Sequence, residues 1–188
     1  VAEIVADYPN IPLIIDPVLA SGRGDDLANA DMLLAMTELL FPQSLLITPN
    51  SFEARRLVIE DNEEFSSITI EECAERLRVM GCENTLITGT HEKTDSVINT
   101  LFDHQGQPTP FYWDRLPGNY HGSGCTLTSA IAGYYAQGLS LEVAVEEAQN
   151  FTWHTLNNAF KPGMGQSIPD RFFWRNDFKD DDGRYNHN

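Results

Sequence analysis

Three short apolar runs, each cut off by a polar residue and then a proline or glycine, constrain this chain most. They are Ile11-Pro12-Leu13-Ile14-Ile15 before Asp16-Pro17, Ser44-Leu45-Leu46-Ile47-Thr48 before Pro49-Asn50, and Asn84-Thr85-Leu86-Ile87-Thr88 before Gly89. None alternates apolar with polar residues. Such a run fits a strand buried on both faces, as in a parallel sheet covered by helices. Helical stretches fill the intervals at Ala30 to Leu40, Ser51 to Ile59 and Thr69 to Met80, and residues 1–8 read as the tail of another. The third opens with the capping-box pair Thr69…Glu72 and closes at Gly81. Ser96 to Phe102 and Pro110 to Arg115, joined across His104-Gln105-Gly106-Gln107, read as an antiparallel hairpin. The expected fold is therefore α/β, with a mostly parallel central sheet, helices on both of its faces and an antiparallel edge hairpin.

Open sheets of this kind bind ligands beyond the carboxyl ends of their strands. Asp16, Thr48-Pro49-Asn50 and Thr88-Gly89-Thr90 all fall there. Asp16 suits a metal ion, directly or through water, since Mg²⁺ takes one or two carboxylates and keeps several waters. It also suits a plain strand-end turn before proline. Asn50 and Glu53 have the spacing of an N-cap with its reciprocal glutamate. A glutamate on that first turn could also steer a hydrated Mg²⁺. Thr88 and Thr90 offer hydroxyls to a phosphate. His91 and His121 have no neighbour at metal-ligand spacing and read as solvated loop residues.

A second region carries chemistry: Tyr120-His121-Gly122-Ser123-Gly124-Cys125-Thr126-Leu127, followed by a helical pattern from about Thr126 to Gln137. The glycines allow a tight turn and close approach to a ligand. The helix start supplies amide donors and a partial positive charge, a cradle for an oxyanion. A thiol at that place is pulled below its usual pKa of about 8.5, so Cys125 is a candidate proton acceptor. An ordinary glycine turn with a small buried cysteine would read the same way. Beyond it Ser140 caps a long helix to about Ala159, and Lys161 to Gly165 form a loop. The segment 172–188 reads as a polar acidic tail, its aromatics Phe172, Phe173 and Trp174 as packing residues.

The net charge of −16, from 12 basic and 28 acidic residues, disfavours nucleic acid or an anionic membrane as partner. No apolar run reaches the roughly 18 residues of a membrane span. Three cysteines, with Cys73 expected half-buried on a helix, fit reduced cytoplasmic thiols better than a disulfide framework.

Several segments together resemble one family. Ile14-Ile15-Asp16-Pro17-Val18 with Ser21-Gly22 looks like its D-P-V segment, and Thr48-Pro49-Asn50-Ser51-Phe52-Glu53-Ala54 like its T-P-N-x-x-E-A segment. His121-Gly122-Ser123-Gly124-Cys125-Thr126-Leu127-Thr128-Ser129-Ala130-Ile131-Ala132 is similar to its H-G-[TS]-G-C-T-L signature, and Gly138 to Val145 continues the match. The family is the hydroxymethylpyrimidine/phosphomethylpyrimidine kinases of thiamine biosynthesis, within the ribokinase-like superfamily.

The resemblance implies a three-layer αβα domain over residues 1–171 and a cytoplasmic homodimer using ATP and Mg²⁺. The implied substrate is a small pyrimidine alcohol, 4-amino-5-hydroxymethyl-2-methylpyrimidine, and then its monophosphate. It implies Cys125 as catalytic base and Gly122, Ser123 and Gly124 as the anion hole. It places Asn50 with phosphate handling, to which the strand-end hydroxyl of Thr88 adds a donor, and Asp16 and Glu53 with the metal. Two departures stand out. Thr88-Gly89-Thr90-His91 replaces the family's common Lys-Gly-Gly-His and looks more like the related pyridoxal kinases. The family's opening strand and glycine segment have no counterpart here, which leaves room for a non-catalytic nucleotide- or vitamin-binding module.

Overall fold

The computed structural model describes residues 1–19 and 29–178, with side chains to 175. Most of the expected glycine-rich loop of residues 18–26, including Ser21 and Gly22, and the tail from 179 onward lie outside the described residues. The backbone falls into two compact units, Val1–Arg115 and Leu116–Asn188.

The first unit holds a five-stranded sheet in which sequence order is spatial order. β1 (Leu13–Ile15), β2 (Ser44–Ile47) and β3 (Thr85–Ile87) are parallel. β4 (Ser96–Phe102) and β5 (Pro108–Asp114) form the antiparallel hairpin, with β4 also antiparallel to β3. The helices in chain order are α1 (Ala2–Ala6), α2 (Ala30–Ala35), α3 (Ser51–Val58) and α4 (Ile70–Val79).

β3 is buried throughout, as an apolar run without alternation demands. β1 departs from that expectation. It is half-buried along its length, because it is the sheet's first strand and pairs only with β2 among the described residues. The core lies around Leu46, Ile47, Leu77, Leu86 and Phe41, each fully buried or nearly so. Cys73 belongs to it, wholly buried rather than half-buried, because it shares the inward face of α4 with Ala74 and Leu77.

Local chemistry explains the helix ends. α2 runs on into a single π turn, Met36–Leu40. There the Thr37 hydroxyl donates to the carbonyls of Leu33 and Leu34, both at 3.0 Å, a back-bonding that distorts helices. Pro42 then stops the chain in a 3₁₀ turn. α4 ends as a Schellman motif. Gly81, at φ +99°, donates to Arg78 O, and Cys82 donates to Leu77 O. Its start corrects the sequence reading. Thr69 accepts from Glu72 N–H at 3.2 Å, but the reciprocal half of the box is missing. The Glu72 carboxylate instead pairs with Arg76 one turn on, at 2.5 Å. A cation on the same face is the stronger partner for an exposed carboxylate.

The second unit is a pair of packed helices, α5 (Ser123–Ala136) and α6 (Leu141–Asn157), and the strap that follows them. Ser140 caps α6 by accepting from Val143 N–H. Leu127 and Ile131 of α5 and Ala144, Val145 and Ala148 of α6 are buried at the one-turn spacing of an amphipathic face. Residues 173–178 form a 3₁₀ helix. Phe173 stacks on His154 at 5.5 Å and Trp174 lies 6.1 Å from Phe151, so this part of the expected tail is packing structure.

Candidate functional site

In the first unit the three parallel strands end side by side, and the backbone beyond them is laced together. Thr48 N–H donates to Ile15 O at 2.9 Å, Thr88 N–H to Pro49 O at 3.0 Å and Ser51 N–H to Thr88 O at 2.9 Å. Asp16, Asn50 and Thr88 thus sit at one edge, each half-buried.

Asn50 and Glu53 cap α3 in both directions. The Asn50 side-chain oxygen accepts from Glu53 N–H at 2.9 Å, and Glu53 Oε2 accepts from Asn50 N–H at 3.0 Å. Glu53 Oε1 takes a third amide, Leu19 N–H, at 3.4 Å. This carboxylate is 8% exposed. Burial pushes its pKa above the ordinary value, the Asn50 and Leu19 amides oppose that, and the nearby Asp16 charge adds to it. Capping and membership of an acidic pair therefore hold together. A buried carboxylate whose proton affinity is raised further by a neighbouring carboxylate suits a cation. Among the described residues no three of His, Cys, Asp or Glu gather into a closed metal cage. Carboxylate oxygens in such a place are the donors that a hydrated Mg²⁺ takes, one or two at a time.

The loop after Thr88 is tightly held. Gly89 N–H donates to Asn99 Oδ1, and a Cβ on Gly89 would lie 2.1 Å from Ile98 O. Arg55 pairs with Glu92 at 2.6 Å. Arg115 donates to the carbonyls of Thr90, Glu92 and Thr94. His91 is exposed in this loop, as is His121 in the second unit.

In the second unit, α5 starts at Ser123, three residues earlier than its hydrophobic pattern suggests. Gly122 is the N-cap, left-handed at φ +83° and ψ +15°. Its carbonyl accepts both Thr126 N–H at 3.1 Å and the Thr126 hydroxyl at 2.7 Å. Gly124 is consequently a helical residue of the first turn and only Gly122 makes the tight bend. The amides of Ser123, Gly124 and Cys125 precede the first rung of the helix ladder, at its positive end. Cys125 is exposed, not turned into an apolar interior. The other two thiols are inert by comparison. Burial pushes Cys73 up to about 11 and Cys82 up to about 12.

Arg171 adds a group the sequence reading missed. Its Nε donates to Thr126 Oγ1 at 3.0 Å, and its Nη2 lies 3.3 Å from where a Cβ on Gly122 would stand. Forty-five positions separate the bonded pair, and nothing local in Pro169-Asp170-Arg171-Phe172 announces the contact.

The known proteins that resemble this chain can be set beside that geometry. The pyridoxal kinase of Staphylococcus aureus in complex with ADP superposes with a TM-score of 0.75 at 24% identity, over 93% of this chain and 65% of that one. The fold is thus α/β and ribokinase-like. The family model for phosphomethylpyrimidine kinase matches residues 1–170, and the chain belongs to that family. The thiamine biosynthesis bifunctional protein ThiED of Geobacter sulfurreducens is 31% identical over 183 residues, 96% of this chain and 36% of that protein. The hydroxymethylpyrimidine/phosphomethylpyrimidine kinase of Mycobacterium tuberculosis is 35% identical over 158 residues, 83% of this chain and 56% of that protein. The chain therefore spans from about a third to just over half of the length of these two relatives.

Proposed function

We propose that the chain is an ATP-dependent kinase of thiamine biosynthesis, acting in the cytoplasm as a homodimer. Its substrates are 4-amino-5-hydroxymethyl-2-methylpyrimidine and then the monophosphate of that alcohol. The observation that carries the reading is the start of α5, where exposed Cys125 stands on the first turn behind a left-handed glycine cap. Family membership over residues 1–170 supports it.

The roles follow from the chemistry of phosphoryl transfer, which needs positioning and charge stabilisation above all. The Cys125 thiolate takes the hydroxyl proton as the substrate oxygen attacks the terminal phosphorus of ATP. In the first transfer one P–O bond forms and the bridging P–O bond breaks, giving a phosphomonoester and ADP; in the second a phosphate oxygen of that ester attacks instead, giving the diphosphate ester and ADP. The amides of Ser123 and Gly124, with Gly122 setting the bend, receive the equatorial oxygens. Asn50 and Thr88 would orient phosphate at the edge of the first unit, and Asp16 and Glu53 would hold Mg²⁺. That ion would supply neutralisation of the nucleotide's phosphate charge.

A coupled ADP-release assay with each alcohol tests this. Turnover of the pyrimidine supports the reading. A second reading rests on Thr88-Gly89-Thr90-His91 at the third strand end. It predicts brisk turnover of pyridoxal and none of the pyrimidine. ATP binding by calorimetry with no product from either alcohol would mark a non-catalytic binding module.

A further inference from the structure

We propose that Arg171 is a positioning residue of the α5 cradle, acting through Thr126 on the glycine cap; this rests on the kinase reading above. The connection is continuous. Arg171 Nε donates to Thr126 Oγ1 at 3.0 Å, and that hydroxyl donates to Gly122 O at 2.7 Å. The same carbonyl accepts the first amide of the helix ladder. One guanidinium thus fixes the bend from which the Ser123, Gly124 and Cys125 amides are aimed. Gly122 admits it by lacking a side chain, since a Cβ would meet Nη2 at 3.3 Å.

Arg171 is itself held from two sides. Asp170 N–H donates to Thr155 O on α6 at 2.9 Å. Four residues earlier, Ser167 accepts His121 N–H at 2.9 Å and donates to Asn119 O at 3.1 Å, gripping the approach to the cap. Among the described residues, neither Nη donates to a carboxylate, and the guanidinium bonds through Nε to Thr126. A cation at the positive end of a helix works against helix stability. The arrangement becomes favourable when an anion lies at that end, as a transferring phosphoryl group would.

The test compares Arg171→Gln with the pair Thr126→Val and Thr126→Ser. Serine keeps both hydroxyl bonds and valine neither. In the kinase assay, Arg171→Gln and Thr126→Val are expected to lower kcat on the order of 10- to 100-fold, as small misplacements of reacting groups do. KM for ATP is expected to move less than threefold, the melting temperature of Arg171→Gln to hold or rise, and Thr126→Ser to match wild type. Amide hydrogen exchange at Thr126 is expected to quicken at least tenfold in the two damaging variants. That readout is independent of turnover, so a wild type that phosphorylates neither alcohol sinks the kinase reading and leaves exchange to decide this one. Unchanged exchange, or faster exchange with an unchanged kcat, would overturn the role of Arg171. If Arg171→Gln fails to fold, the Thr126 pair decides by the same criteria.

Discussion

Asn50 and Glu53 cap one another at the start of α3, side chain to backbone in both directions, at 2.9 and 3.0 Å. The same glutamate takes Leu19 N–H, so one carboxylate closes a helix and ties down the segment after β1. Loss of either partner leaves amides in a sheltered place without an acceptor. Asn50→Ala is expected to cost about 1 kcal/mol as the loss of an N-cap. Glu53→Ala is expected to cost about 1–3 kcal/mol for each stranded donor. In a double-mutant cycle by urea denaturation the two losses should fail to add by at least about 0.5 kcal/mol. Strict additivity would mean the box is not coupled in solution.

Cys125→Ala is expected to cut turnover by roughly 10²–10⁴, the range for loss of a general base. ATP affinity by calorimetry should barely change. Cys125→Asp should keep part of the activity, since a carboxylate can take the same proton. Wild-type rates in the alanine variant would remove the assigned role.

Gly122→Ala tests the bend directly. At φ +83° an L side chain is strained, and the added methyl would press on Arg171 at 3.3 Å. About 1–2 kcal/mol of stability should go, with a larger proportional loss in kcat. A variant as stable and as active as wild type would show that the cap tolerates a side chain.

Gly89→Ala should be worse for folding, because its methyl would meet a β4 carbonyl at 2.1 Å, where nothing flexible can yield. Overpacking of that kind costs about 1–3 kcal/mol or more. A melting temperature within a degree of wild type would contradict this packing.

Glu63 provides the pH test. Its two oxygens bond Arg76, each at 2.6 Å, which holds its carboxyl down to about 2 from the ordinary 4.5. A depressed folded pKa means stability that is present above 4.5 and is lost as pH falls toward 2. Wild type should therefore exceed Glu63→Gln in stability at neutral pH, and the gap should close across that window. A gap independent of pH would assign the effect to shape rather than charge.

The α/β fold was legible because apolar runs such as Leu86-Ile87 favour burial on both faces, and because Gly81 and the hairpin's Gly106 mark ends by their backbone alone. The spacing of Asn50 and Glu53 revealed their mutual cap, since a capping box is a local device. Non-local competition hid the rest. Thr69 and Glu72 have the same spacing, yet Arg76 takes the glutamate. The true start of α5 was obscured because Ser123, Gly124 and Cys125 carry no hydrophobic period. Arg171 was invisible, since its bond to Thr126 depends on a strap returning to the cap from far along the chain.

The contrast among the three cysteines has a practical consequence. Cys73 and Cys82 lie in the core and hold their protons to high pH, while Cys125 faces water. A thiol-directed dye or spin label added to the folded protein near neutrality should therefore attach at a single address, without any engineered background. Unfolding would expose the remaining two, so the stoichiometry of labelling would itself count the folded fraction.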